Sequence, residues 1–275
     1  MENRSIIAVI NQKGGVGKTT TVINLATSLS ILGQNNLIID LDPQGNATTG
    51  LGRSNNDENN NIYNLLIKKI ELKDVIQKTD VKNLDIIGSN VNLSGLEVET
   101  ANDSDRAFVL KQILDKEKND LLSKYDNIFI DCPPSLSLLT IMALVASGEL
   151  LVPLQTEFFA LEGITQLVKT IDRIKVNLNP DLKVRGILLT MFDKRNKLSS
   201  QVDKEARSYF KEKVYETVIP RNVRLSEAPS HGLPCVIYDK SCLGSKSYLK
   251  LADEFLDKKN INVESAAWAR LKRKD

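Results

Sequence analysis

The sequence predicts an α/β fold: a doubly wound, mostly parallel sheet with helices on both faces, built as a single domain. Three observations lead there. Short β-branched runs recur along the chain, separated by helix-length segments. The runs are almost continuously apolar rather than alternating, the pattern of parallel strands covered on both faces. A glycine-rich stretch, INQKGGVGKTT at 10–20, follows the first run directly and opens the first helix.

The strands are expected at 5–10 (SIIAVI), 36–41 (NLIIDL), 84–87 (LDII), 127–131 (NIFID), 149–154 (ELLVPL), 184–190 (VRGILLT) and 214–219 (VYETVI). The first helix fits 18–32, with Gly33 as the glycine just past its end. Residues 53–61 (RSNNDENNN) read as a solvated surface loop, and their asparagines as composition bias. Pro133 and Pro134 stop the strand before them, since proline cannot extend a ladder. The domain is expected over 1–260, followed by a short basic tail at 261–275. No internal repeat or linker divides it.

Composition narrows the function classes. With 275 residues, 41% hydrophobic and 26% charged, the chain is ordinary for a water-soluble domain. Its net charge of +2 excludes a bulk polycation, so any surface for nucleic acid must be local. Cys132, Cys235 and Cys242 have no metal-ligand spacing and read as reduced thiols. The sequence shows neither a leader peptide nor an apolar run of spanning length, so a cytoplasmic protein is expected.

Backbone N–H groups from Gly14, Gly15, Val16, Gly17 and Lys18 can ring a phosphate while the helix N-terminus adds its dipole. Lys18 would reach the β- and γ-phosphates, and the Thr19 hydroxyl, followed by Thr20, would ligate Mg²⁺. The ordinary pattern fails at one place, because Gln12 stands where the first glycine belongs. What remains is Lys-Gly-Gly-Val-Gly-Lys-Thr, the deviant Walker A motif, with a second lysine at position 13. In this the chain resembles the ParA/MinD family of P-loop ATPases. The resemblance implies ATP and Mg²⁺ as ligands. It also implies that Lys13 crosses a nucleotide-sandwich homodimer to the partner's phosphates, the role an arginine finger has elsewhere.

Two further stretches support the match. The run IIDLDPQGNAT places Asp40 and Asp42 at the carboxyl edge of the sheet, and their i, i+2 spacing puts both on one face. The resemblance makes Asp42 the group that orients the attacking water and puts Asp40 near the magnesium shell. It makes Asp131, in DCPPS, the Walker B aspartate that holds a magnesium-bound water.

Guanine-specific relatives carry an [NT]KxD motif; here that place reads TMFD, Thr190–Asp193, which argues against GTP. The segment IPRNVRLSEAPSHG at 219–232 resembles the chromosomal ParA (Soj) branch, in which Pro220 and Asn222 would frame the adenine. QGNATTGLG (44–52), EFFALEGITQL (157–167) and LLTMFDKR (188–195) extend that likeness over about residues 5–257. The first strand begins near residue 5, so the DNA-reading helix-turn-helix domain of larger plasmid relatives is not expected. Residues 193–224 carry nine Lys/Arg against five Asp/Glu. By resemblance, Arg195 and Arg224 contact the backbone of nonspecific double-stranded DNA. The implied activity is a partitioning ATPase, nucleoid-associated, released from DNA after hydrolysis stimulated by a ParB-type partner.

Two other readings compete. A MinD-like membrane-cycling ATPase would use the tail INVESAAWARLKRKD, with Trp268 and Leu271, as an amphipathic anchor; its apolar face is thin, and stable membrane association is not expected. An iron–sulfur ATPase of the nitrogenase type needs paired cysteines, and these are wrongly placed. His231 reads as a loop residue, and Phe158 and Phe159 as core.

Overall fold

A computed structural model describes residues 4–157 and 160–257. The tail at 261–275, the boundary at 260, and Phe158 and Phe159 lie outside the described residues. One seven-stranded sheet comprises β1 (Ser5–Val9), β2 (Asn36–Asp40), β3 (Ile76–Lys78), β4 (Leu84–Ile87), β5 (Asn127–Asp131), β6 (Glu149–Gln155) and β7 (Lys183–Thr190). Their order across the sheet is β3-β4-β2-β5-β1-β6-β7, parallel throughout except where β3 pairs antiparallel with β4.

Alternate residues of each central strand feed opposite cores. Ile7, Val9, Ile38 and Phe129 pack on one side of the sheet. Ala8, Leu37, Ile39, Ile128 and Ile130 pack on the other. The first side is covered by α1 (Lys18–Ile31), α2 (Asn46–Gly50), α10 (Val223–Glu227), α11 (Cys235–Tyr238) and α12 (Leu243–Asp257). The second is covered by α3 (Ile62–Leu66), α4 (Leu72–Val75), α5 (Leu96–Glu99), α6 (Val109–Lys116), α7 (Leu138–Ala146), α8 (Ala160–Asn177) and α9 (Lys197–Phe210). Both faces of the strands are therefore dry, which is why they carry no polar alternation.

Six of the seven expected strands form, each within one residue of its expected ends. The first helix ends as the sequence indicates. Gly33 sits at φ 93, its N–H donates to Ser30 O, and that of Gln34 donates to Leu29 O. Those two bonds close a Schellman motif.

Residues 214–219 are not a strand, contrary to the β-branched pattern. The segment runs beside β7, with Tyr215 N donating to Ile187 O and Ile219 N to Leu189 O. Between them, the Glu216 and Thr217 N–H groups are taken by the carboxylate of Glu254 in α12, at 2.7 and 2.9 Å. A tertiary acceptor thus breaks the ladder, leaving isolated bridges at Val214 and Pro220. The strand pattern also misses β3, only three residues long. The asparagine-rich loop alternates half-buried and exposed residues over 53–57, is exposed at 58–60 and is anchored at its end. Asn61 is buried, accepts from Asn64 N to cap α3, and donates to Asp57 O at 2.8 Å.

The approach of the 214–219 segment depends on Gly186 in β7. A Cβ there would meet the buried Tyr215 ring at 2.3 Å. We expect Gly186→Ala to cost about 1–3 kcal/mol in urea unfolding. Gly148→Ala, where a Cβ meets nothing within 4 Å, should cost clearly less. Equal losses would mean that Tyr215 repacks freely.

Candidate functional site

The central strands β2, β5 and β1 are neighbours, and their register aligns Asp40 with Asp131 and Asp131 with Val9. Both aspartates therefore end their strands at the carboxyl edge, beside the point where β1 becomes the glycine loop. Strands leave β1 in both directions across the sheet, so this edge is the crevice at the topological switch point, where open α/β sheets bind ligands.

The loop is braced before any ligand arrives. Asn11 donates to Pro153 O at 2.8 Å and accepts from Lys13 N at 3.0 Å, tying the loop to β6. The Thr190 hydroxyl donates to Val16 O at 2.8 Å, tying it to β7. Gly15 and Gly17 adopt φ 74 and 87, which residues with a Cβ reach only under strain. Gly17 stands immediately before α1 and offers no side-chain cap. The first N–H groups of α1, from Lys18, Thr19 and Thr20, are thus left for an anion. Gly14 packs near Pro134, where a Cβ would have 3.8 Å.

Lys18 is 6% exposed and curls back, its Nζ donating to Lys13 O at 3.3 Å. Burial lowers its pKa, against the opposing pull of Asp131 and Asp42. Opposite it are three buried carboxylates with different commitments. Asp40 Oδ2 accepts from Thr48 N at 2.9 Å and Thr48 Oγ1 at 2.7 Å, and Oδ1 accepts from Asp42 N at 3.2 Å. Burial pushes its pKa up to about 6, with those donors pulling the other way. Asp42 accepts from Gln44 N at 3.0 Å, which fixes the turn after β2.

Asp131 differs. It is fully buried, and neither carboxylate oxygen completes a hydrogen bond with a donor among the described residues, although the Thr19 side chain lies close enough to favour its charged form. Burial first, and the neighbouring Asp40 second, raise its pKa well above the usual carboxylate range. An orphaned buried carboxylate beside a threonine hydroxyl and an open phosphate cradle fits a hard divalent cation that keeps most of its waters. Among the described residues no three His, Cys, Asp or Glu side chains form a protein-only metal cage. A phosphate-bound cation needs none.

Pro220 and Asn222 line a cavity of ≈ 310 Å³ that also touches Gly17 and Thr20, so the segment at 219–226 adjoins the glycine loop. Asn222 caps α10, its side chain accepting from Arg224 N at 2.9 Å. Tyr248 of α12 lines the same cavity and its hydroxyl meets Thr21 Oγ1 at 3.1 Å.

The remaining candidates are already engaged. Lys13 forms an ion pair with Glu157 of its own chain. Arg195 is bidentate to Asp193, at 3.1 and 3.0 Å, and holds that carboxyl down at about 2. Arg224 pairs with Glu227 at 2.6 Å and Asp239 at 3.5 Å. The turns bearing the two arginines are stitched together, Phe192 N donating to Ile219 O and Arg221 N to Phe192 O. Asn11, Thr48 and Glu157 lie inside the quoted stretches INQKGGVGKTT, IIDLDPQGNAT and EFFALEGITQL, but residue order assigns them no role there, and Tyr248 lies outside all of them; only the glycine loop and the aspartates, once placed, direct attention to them.

A family profile described as an AAA domain matches residues 4–184. The chromosome partitioning protein ParA of Caulobacter vibrioides is 47% identical over 262 residues, 95% of this chain and 97% of the relative. The sporulation initiation inhibitor protein Soj of Bacillus subtilis is 49% identical over 249 residues, 90% of this chain and 97% of that protein. Among solved structures, a Mycobacterium smegmatis cobyrinic acid a,c-diamide synthase with bound ATP analogue and magnesium has a TM-score of 0.78. It is 32% identical and covers 91% of this chain and 93% of that one.

Asp40 makes a pH prediction. Its carboxyl titrates near 4 when unfolded and about 6 when folded, so between those values the native state binds more protons and stability falls as pH rises. Asparagine cannot titrate. The stability of ligand-free Asp40→Asn relative to wild type should therefore improve across pH 4–7, by at most ~3 kcal/mol, whatever its offset from altered hydrogen bonds. Thermal unfolding at several pH values reads the difference; a flat or declining one would remove the buried-charge account.

Proposed function

Because the chain belongs to the ParA/Soj family of chromosome-partitioning ATPases, we propose that it binds and hydrolyses ATP with Mg²⁺, dimerises around the nucleotide, and clamps DNA without reading sequence. The observation that carries this reading is the braced Lys13–Thr20 loop facing an unpartnered Asp131 across one sheet edge. The loop N–H groups and Lys18 hold the phosphates, and the cavity beside Gly17 takes the adenine against Pro220 and Asn222. Thr19 and Asp131 hold magnesium and its waters. Asp40 stands near the magnesium shell and also braces the turn through Thr48. When bound, magnesium neutralises charge that develops on the phosphate oxygens. Asp42 orients the attacking water, and Lys13 leaves Glu157 to reach the phosphates of the neighbouring subunit.

Arg195 and Arg224 contact DNA phosphates, which must displace Asp193 and Glu227 from the guanidinium groups. A ParB-type partner stimulates hydrolysis and so releases the clamp. The same family membership supports a cytoplasmic, nucleoid-associated protein. Among the described residues no helix is long and apolar enough to cross a membrane.

Four variants separate the site roles. Lys18→Ala should abolish nucleotide binding. Lys13→Ala should bind ATP as a monomer but neither dimerise nor turn over, seen by sizing chromatography and phosphate release. Asp42→Ala should retain ATP and lose turnover by on the order of 10²–10⁴, whereas Asp131→Ala should lose the magnesium dependence of binding. A normal dimer with normal turnover in the Lys13 variant would falsify the trans-lysine assignment.

DNA binding should require ATP, ignore sequence, and fall with salt at a log–log slope of about 0.9 per neutralised phosphate, with both subunits contributing. Replacing Arg195 and Arg224 with Glu should abolish retention in a filter titration while ATP-driven dimerisation survives. Equal binding with ATP, with ADP and without nucleotide would end the gated-clamp reading.

A further inference from the structure

Two of the three thiols lie together, away from the phosphate site. Cys235 opens α11 and is 1% exposed; Cys242 immediately precedes α12 and is half-buried. Their sulfurs are 3.6 Å apart. Asp239 fixes the turn between them, its Oδ1 accepting from the N–H groups of Ser241 and Cys242 at 3.0 and 3.1 Å. Ser245 bridges the pair. Its N–H donates to Cys242 Sγ at 3.4 Å, and its hydroxyl donates to Cys235 O at 2.9 Å.

This turn sits behind the nucleotide cavity. Gly244, two residues into α12, packs so tightly on Leu225 that a Cβ there would stand 2.7 Å from Leu225 Cγ. Leu225 belongs to α10, lines the cavity, and lies three residues beyond Asn222. Tyr248, one turn further along α12, lines it too. On the opposite side Val236 N donates to Asn24 Oδ1 at 3.3 Å, joining α11 to α1. The thiol pair thus joins two helices that both rest on the elements around the nucleotide.

We propose that Cys235 and Cys242 are a redox-sensitive dithiol, which a peroxide converts to a disulfide that draws the start of α12 toward α11 and weakens nucleotide binding in the adjoining cavity. The second half rests on the nucleotide reading given above; the first does not.

The chemistry balances with the peroxide as sole oxidant. The thiolate of Cys242, the more accessible sulfur, attacks a peroxide oxygen; the O–O bond breaks, and Cys242 becomes a sulfenic acid as one hydroxide leaves. Cys235 then attacks the sulfenic sulfur. The S–O bond breaks, the S–S bond forms, and the departing hydroxyl leaves as water with the Cys235 proton. Two thiols lose two electrons, and the peroxide gains them. Burial pushes the Cys235 thiol up to about 12, which suits a resolving thiol that stays protonated until a sulfenic acid forms beside it. The bond brings the sulfurs from 3.6 Å to about 2.05 Å, a convergence of ~1.5 Å. Cys242 must then turn away from Ser245 N, and Gly244, already against Leu225, moves with it.

The test uses the full chain with hydrogen peroxide as the probe, followed by peptide mapping without reductant and titration with a fluorescent ATP analogue. Wild type should lose two hydrogens in a Cys235–Cys242 cross-linked peptide. Its analogue affinity should weaken about fivefold or more, and dithiothreitol should restore both. Cys242→Ser and Cys235→Ser, checked for native circular dichroism, should give neither the cross-link nor the affinity change. A cross-link confined to Cys132, no intramolecular link, or a Cys235–Cys242 link with unchanged affinity would each overturn the proposal. Failure of the reduced protein to bind the analogue would instead take down the nucleotide reading, and with it the second half of this inference. The mapping alone decides the first.

Discussion

Three carboxylates and one lysine share a pocket from which water is almost wholly excluded, and most of the molecule is arranged around that charge cluster. Asp40, Asp42, Asp131 and Lys18 are all at most 6% exposed. Without a ligand the negative charges outnumber the positive, and burial drives Asp131 and Asp40 toward protonation and Lys18 toward neutrality. A polyanion alone would add to the excess; a divalent cation arriving with it brings the compensating charge to the one carboxylate without a donor. This set of charges is poorly matched to itself and well matched to a metal–phosphate pair, the usual relation between stability and function at a binding site.

The scaffold keeps these groups from relaxing. Asp40 is held by two donors from Thr48 and one from its own turn. The glycine loop is pinned to β6 by Asn11 and to β7 by Thr190. Asp131 is fully buried at the end of a strand flanked on both sides by β1 and β2, so its carboxylate stays out of water. Lys13 and the two candidate DNA arginines follow a different rule, each resting in an ion pair on its own chain. These exposed pairs are weak and exchangeable. They lower unspecific stickiness while costing little to open when a stronger anion arrives.

Much of this was legible in residue order because parallel strands buried on both faces leave an unmistakable apolar signature. The strand ends at Asp40 and Asp131 and the glycine loop therefore fell where expected. What the sequence concealed was tertiary competition. Glu254 captures the N–H groups of Glu216 and Thr217 and so turns a β-branched run into a non-strand. Asn61 looked like one more loop asparagine, yet it is buried and caps a helix. Asp40 has the motif position of a metal neighbour, and its hydrogen bonds add a bracing role that residue order does not show. Thr48, eight residues on, supplies that brace; it lies in the quoted stretch IIDLDPQGNAT, where residue order singles out only the aspartates.

The two borders of the sheet bear on what the protein avoids. At one end β3 is only three residues long, runs against β4, and ends in Lys78, which is paired to Asp85. At the other, the segment after residue 213 lies along β7 with an interrupted ladder and a proline at its close. Neither border offers a long, regular row of open donors and acceptors on which a foreign strand could grow. Borders of this kind guard the described sheet against the irreversible association that an open edge invites, so that growth by strand addition finds no template at either end.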